Sequence, residues 1–206
     1  MSATDASKGT ALVIHAHPCR DSFNAALYDT TVAALERSGW AVDGCDLYAE
    51  KFDPVLSDQD RREYHDLEIN RHKVEPYVLR LQAARALVFV YPVWNYGPPA
   101  MLKGFLDRVF LPGVSFNLEE TSPGKVKLTR ALDHIDRLAV VTTYGGDKLR
   151  TFLSGDPPRK YMTRTMRATV GLRARSRYLA LHDMNNVDAD GRQKFLNKIQ
   201  REMAAL

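Results

Sequence analysis

The chain has 206 residues, 45% of them hydrophobic, enough for one compact domain with a sizeable core. No apolar run approaches the roughly eighteen residues that span a bilayer, which excludes a helical membrane protein, and two cysteines, Cys19 and Cys45, exclude a disulfide scaffold or a cysteine-only zinc site. The formal net charge of +4 is unevenly placed, because residues 159–177 hold seven Lys and Arg and no Asp or Glu.

Residues 1–9 are polar, lack the apolar core of a secretory signal, and are expected to form a mobile tail on a cytoplasmic protein. The apolar run 11–16 predicts a buried strand. Helical spacing of Phe23, Ala26, Leu27, Thr30, Ala34 and Leu35 predicts a helix over 22–38, capped by Asp21 or Ser22 and ended at Ser38-Gly39. A second strand is expected over 41–47. Residues 48–71 are polar and irregular, long enough to imply short helices or a functional excursion. A helix over 74–84 leads into the central strand 86–91, and Pro98-Pro99 starts another helix carrying Leu102, Phe105, Leu106, Val109 and Phe110. A fourth strand over 136–143, a helix over 159–170, a fifth strand over 176–182 and an amphipathic helix over 188–206 complete the series. Strands alternating with helices predict an α/β fold, a five-stranded parallel sheet between two helical layers; the order expected is the flavodoxin-like 2-1-3-4-5, which would bring its strand-end loops together at one edge. No linker or repeat divides residues 1–206.

In open α/β sheets, ligands bind beyond the carboxyl ends of the strands, where strand order reverses. Three loops sit at such ends: 15–24 (HAHPCRDSFN), 92–98 (PVWNYGP) and 142–146 (TTYGG). None carries a G-x-G-x-x-G or Walker A pattern. A phosphate is instead expected at the start of the first helix, with His17, the Ser22 hydroxyl and the Phe23 and Asn24 amides as donors. An ordinary N-cap is the plainer role for Ser22. His15 and His17 alternate along a strand but have no third ligand, so no metal site is expected. Trp94 and Tyr96 suit a planar ligand lying on exposed backbone, with Gly97 permitting close approach; packing at the strand end is the alternative for each ring. Gly145 and Gly146 form either a plain turn or a row of backbone donors for negative charge. Lys103 and Asp107, four apart on a helix, read as an exposed ion pair.

On these residues the chain resembles the NAD(P)H:quinone oxidoreductases and their bacterial relatives, which include flavin-containing ancillary subunits of potassium-efflux systems. The likeness runs from Leu12 to Leu181, and its most specific stretch is 88–110. The resemblance implies a flavodoxin-like fold, a homodimer whose sites are lined by both subunits, and a flavin reduced by NAD(P)H in ping-pong hydride transfer to a small-molecule acceptor. His17, Ser22, Phe23 and Asn24 would hold the phosphate end. Pro92, Val93, Trp94, Asn95 and Tyr96 would edge the ring, with Thr142, Thr143, Tyr144, Gly145 and Gly146 opposite. FAD and FMN both fit; Asn24, matching a position that reaches the adenosine half in FAD-binding relatives, favours FAD.

Two departures stand out. Asn95 replaces a second aromatic, and residues 147–152 lack the Tyr and His that mammalian relatives carry after the glycine loop for charge relay. Tyr144 or backbone amides are expected to take over that role, placing Tyr144, Gly145 and Gly146 at the chemistry. Rival readings are a regulatory flavoprotein bound to a membrane transporter through the basic segment, an azo- or nitroreductase, and a one-electron carrier, the last disfavoured by the basic charge. No nucleic-acid motif accompanies the basic segment.

Overall fold

The computed structural model describes residues 8–206. Of the expected tail, positions 1–7 lie outside the described residues. Positions 8 and 9 are tied down: the Lys8 amide donates to Gly39 O (3.2 Å), and its ammonium lies 5.9 Å from the Trp40 ring centre.

Five parallel strands make the sheet: β1 (Thr10–His15), β2 (Ala41–Asp46), β3 (Ala84–Pro92), β6 (Arg137–Thr143) and β7 (Arg175–Leu181). Their order is β2-β1-β3-β6-β7, the expected 2-1-3-4-5 once an unforeseen hairpin takes the numbers four and five. β3 is central and nearly all buried, as a strand covered on both faces must be.

The two faces differ in side-chain size. Leu12, Ile14, Leu87, Phe89, Tyr91, Leu138 and Val140 meet α3 (Glu75–Ala83), α4 (Ala100–Val109) and the segment carrying Met162, Met166 and Val170. Ala11, Val13, Ala86, Val88, Val90, Ala139 and Val141 meet α1 (Phe23–Arg37) and α8 (Ala189–Ala204), which supply Leu27, Leu35, Phe195 and Ile199. The smaller residues let α1 and α8 lie close to the sheet and to each other.

Within 48–71 the only regular element is α2 (Asp58–Arg62), closed by a capping box between Ser57 and Asp60. The buried Arg108 guanidinium fastens this segment, reaching Asp53 Oδ2 at 3.0 Å and Asp60 Oδ2 at 3.5 Å. The Lys103–Asp107 pair is present on α4.

Three differences from the sequence reading have local causes. Residues 116–130 form a hairpin, β4 (Phe116–Ser122) and β5 (Lys125–Arg130), turning at Pro123-Gly124 with Gly124 at φ +76°. It hides from periodicity because Leu118, Val126 and Leu128 stay exposed. Residues 148–153 form α5 (Lys148–Leu153), capped by Asp147. The single helix expected over 159–170 is α6 (Pro157–Lys160), a π-turn (Tyr161–Met166) and α7 (Arg167–Val170). A π-turn adds one residue per turn and often marks a functional position. No helix among the described residues is long and apolar enough to cross a membrane.

Candidate active site

The three loops meet at the carboxyl edge of the sheet. The first and second touch through the His17 and Trp94 rings, 5.9 Å apart. The second and third are joined by Val93 N–H donating to Thr143 O (2.8 Å) and by the buried Thr142 hydroxyl donating to Tyr91 O (2.6 Å).

In the first loop, Ser22 is an N-cap: its Oγ accepts from the Ala25 amide (3.1 Å) and donates to Cys19 O (2.7 Å). Its proton is directed inside the loop, the N-cap role that is the plainer of the two expected for this residue. His17 Nδ1 accepts from the Cys19 amide (3.1 Å), which fixes the ring beside the turn. Among the described residues nothing accepts from the Phe23 and Asn24 amides at the start of α1. These remain donors for an anion. The Asn24 side chain is turned inward, buried beside His15 with neither amide atom in a hydrogen bond.

His15 is paired with an acid. Fully buried, its Nδ1 lies 3.0 Å from Asp46 Oδ2, an oxygen that Arg20 also holds at 2.9 Å. Burial lowers the His15 pKa, against the pull of the Asp46 bond.

The second loop is a two-residue turn. Trp94 and Gly97 exchange both backbone hydrogen bonds at 3.0 Å. Asn95 (φ +48°) and Tyr96 (φ +58°) occupy the left-handed positions of a mirror-image turn. Gly97 is not left-handed; the strained conformation falls on Asn95 and Tyr96. The turn holds Trp94 and Tyr96 outward, 42% and 50% exposed, while Pro92 is buried behind them.

In the third loop, Thr142 and Thr143 are buried. A Cβ at Gly145 or Gly146 would meet nothing nearer than 3.8 and 3.9 Å. Among the described residues nothing accepts from either glycine's amide. Two unclaimed donors with no close side chain over them, on the same sheet edge as two exposed aromatics, fit a flat, electron-accepting ring.

Tyr144 turns the other way. It is buried, and its hydroxyl donates to Asp156 Oδ1 (2.8 Å) and meets the Tyr178 hydroxyl at 2.5 Å. His182 stacks on its ring, centres 4.5 Å apart and planes 12° from parallel. Burial, chiefly, pushes the Tyr144 and Tyr178 hydroxyls far above the ordinary tyrosine range. The sequence reading missed Asp156, Tyr178 and His182. The alternation of the last strand places Tyr178 and His182 on one face, and that signal was available.

Residues 10–203 match the family described as the flavodoxin-like fold. The chain belongs to that family. It is 35% identical over 122 residues to NAD(P)H dehydrogenase [quinone] 1 of Cavia porcellus, covering 52% of this chain and 44% of that protein. The chain thus spans about half or less of that curated relative's length. Among solved structures it is similar to Smu.1420 from Streptococcus mutans UA159 (TM-score 0.81, 27% identity, 96% of this chain and 100% of that one). It also shares its fold with the NAD(P)H:quinone oxidoreductase from Methanothermobacter marburgensis (TM-score 0.81, 24% identity, 97% and 98% covered).

Proposed function

We propose that this protein is a flavin-dependent NAD(P)H oxidoreductase that delivers two electrons to a quinone or a similar small acceptor. One observation carries the reading: exposed aromatics, unclaimed glycine amides and a helix start with free N–H groups converge on one sheet edge. The similarity to a protein named for NAD(P)H and quinone supports the choice of reaction. A bound flavin would supply the chemistry, accepting hydride from NAD(P)H and passing the electrons on in a second half-reaction.

The chain's own groups bind and orient. The Phe23 and Asn24 amides and His17 would hold the phosphate end; Gly145 and Gly146 would donate to the ring edge where negative charge gathers. Trp94 and Tyr96 would wall the ring from water and present a stacking surface to donor and acceptor, with Asn95 making that surface more polar. FAD is the identity expected from the resemblance. Release of the bound cofactor and its mass distinguish FAD from FMN.

A homodimer belongs to the same proposal. Leu149, Phe152 and Leu153 stand 67%, 77% and 73% exposed on α5 beside the glycine loop, an apolar patch suited to a second subunit. Light scattering of the purified chain should give twice the chain mass.

The decisive experiment is simple: purified protein should be yellow, bleach with NAD(P)H in the absence of oxygen, and release a flavin identifiable by mass. A colourless chain that neither FAD nor FMN reconstitutes would overturn the reading. Gly145→Ala and Gly146→Ala sharpen the test. Each new methyl would meet its nearest neighbour at an ordinary van der Waals distance, 3.8 Å from Asn185 and 3.9 Å from Thr151, so stability should hold while flavin affinity falls about tenfold or more.

A further inference from the structure

Behind the glycine loop lies a cluster that the proposed function leaves unused. Tyr91, Tyr144, Tyr178 and His182 share one face of the sheet, because each lies an even number of steps along its strand from a residue on that face. Asp156 closes the cluster from the loop before α6 in a left-handed conformation (φ +47°, ψ +59°) that costs a non-glycine residue, and its carboxylate accepts from Tyr144. The Arg159 guanidinium lies 5.6 Å from the Tyr178 ring centre.

His182 is the one group here that can change charge near neutral pH. Its Nδ1 is buried without a partner, while Nε2, also without a protein partner, reaches solvent. The residues that follow it bind the glycine loop: Asp183 N–H donates to Gly146 O and Met184 N–H to Tyr144 O, both at 3.0 Å. The Asn185 amide nitrogen lies 3.8 Å from where a Gly145 Cβ would be. The charged groups around the ring come from the starts of α5 and α6 and oppose one another. Asp156 and Asp147 favour the imidazolium; Lys148 and Arg159 disfavour it, and burial lowers the pKa most. A neutral ring stacked on a tyrosine and balanced between two acids and two bases is poised to respond to one more negative charge.

We infer that His182 is a positioning residue that takes up a proton when negative charge arrives at the Gly145–Gly146 loop, and so sets the potential at which the site is reduced. This rests on the flavin reading above. As the reductant gives two electrons to the bound flavin, one N–H bond forms at His182 Nε2 with a proton from bulk water, and the proton leaves on reoxidation. The imidazolium is held by the Tyr144 ring face and by Asp156, and Tyr144 passes its position to the loop. A unit charge within roughly 8 Å in a protein environment of effective dielectric about 20 raises proton affinity tenfold or more.

The test uses the full flavin-loaded chain with isotope-labelled histidine. The chain has six His, and the His182 signal is assigned by its loss in His182→Gln. In the oxidised protein His182 should titrate below 6.5; after anaerobic reduction with dithionite its proton affinity should rise at least tenfold. Between the two midpoints the reduction potential should steepen by about 30 mV per pH unit, one extra proton on a two-electron couple. His182→Gln should lose that steep segment, and Tyr144→Leu, which removes the stacked ring, should shrink it. Identical His182 titrations in the two redox states, or a steep segment that survives in His182→Gln, would overturn the inference and leave the flavin reading standing. A chain that takes up no flavin would end both.

Discussion

Tyr96 shows most directly how single residues trade stability for a site. A bulky aromatic at φ +58° is an uncommon conformation, about 1–2 kcal/mol above the same residue in a right-handed one. The hydrogen bonds between Trp94 and Gly97 hold it there, and the reward is an aromatic ring directed outward over the sheet edge. Tyr96→Gly should therefore stabilise the flavin-free protein, by about 1 kcal/mol in urea denaturation, while weakening flavin binding. A loss of stability would show that the ring packs for structure. Ser22 makes the opposite case: an obvious capping residue caps its helix, and the amides left without an acceptor are those of Phe23 and Asn24 behind it. Both outcomes were partly legible. The mix of aromatics, proline and one glycine in the loop was plain, but which residue carried the left-handed conformation depends on the two-residue turn closed between Trp94 and Gly97.

At the level of elements, α4 is placed by a contact that composition does not announce. A Cβ at Gly104 would come within 2.1 Å of Pro54 O and 2.4 Å of Pro54 Cβ, so the helix and the 48–57 segment touch backbone to backbone. Arg108, one turn along the same helix, reaches Asp53 on that segment and Asp60 just beyond it in α2. Gly104→Ala should cost about 1–3 kcal/mol, read as a lower urea midpoint, although alanine is the better helix former; a stabilised variant would mean that the segment yields freely. The elements with strong apolar periodicity, β1, α1, β3, α4, β6 and α8, were readable from the chain because burial of one face imposes that pattern. The hairpin and α5 were not, since their apolar side chains remain exposed in the isolated chain and leave no in-and-out alternation to read.

Across the whole molecule, the buried ionisable groups couple the fold to acid. Burial keeps His15 below its ordinary value of 6.5, so on acidification the unfolded chain takes the proton first. The stability this site contributes is present above that value and is lost as pH falls through it. The folded-state pKa of Asp46 is depressed as well: burial pushes it up, but the Ala49 amide, His15 and Arg20 outweigh that, so its contribution is lost at still lower pH. The urea midpoint should therefore fall between about pH 7 and pH 5, and His15→Leu should flatten that fall, since it removes the titrating ring and leaves Arg20 on Asp46. An unchanged slope in the variant would place the acid sensitivity elsewhere.

By itself the sequence determined the alternation of strands and helices and the three loops at strand ends, because periodic burial and turn chemistry are local properties of the chain. Only the tertiary structure decided which groups in those loops face outward. Tyr144 is buried against Asp156, Tyr178 and His182, residues 12, 34 and 38 positions further along the chain, and such company arises only when β6 and β7 lie side by side with the α6 segment packed over them.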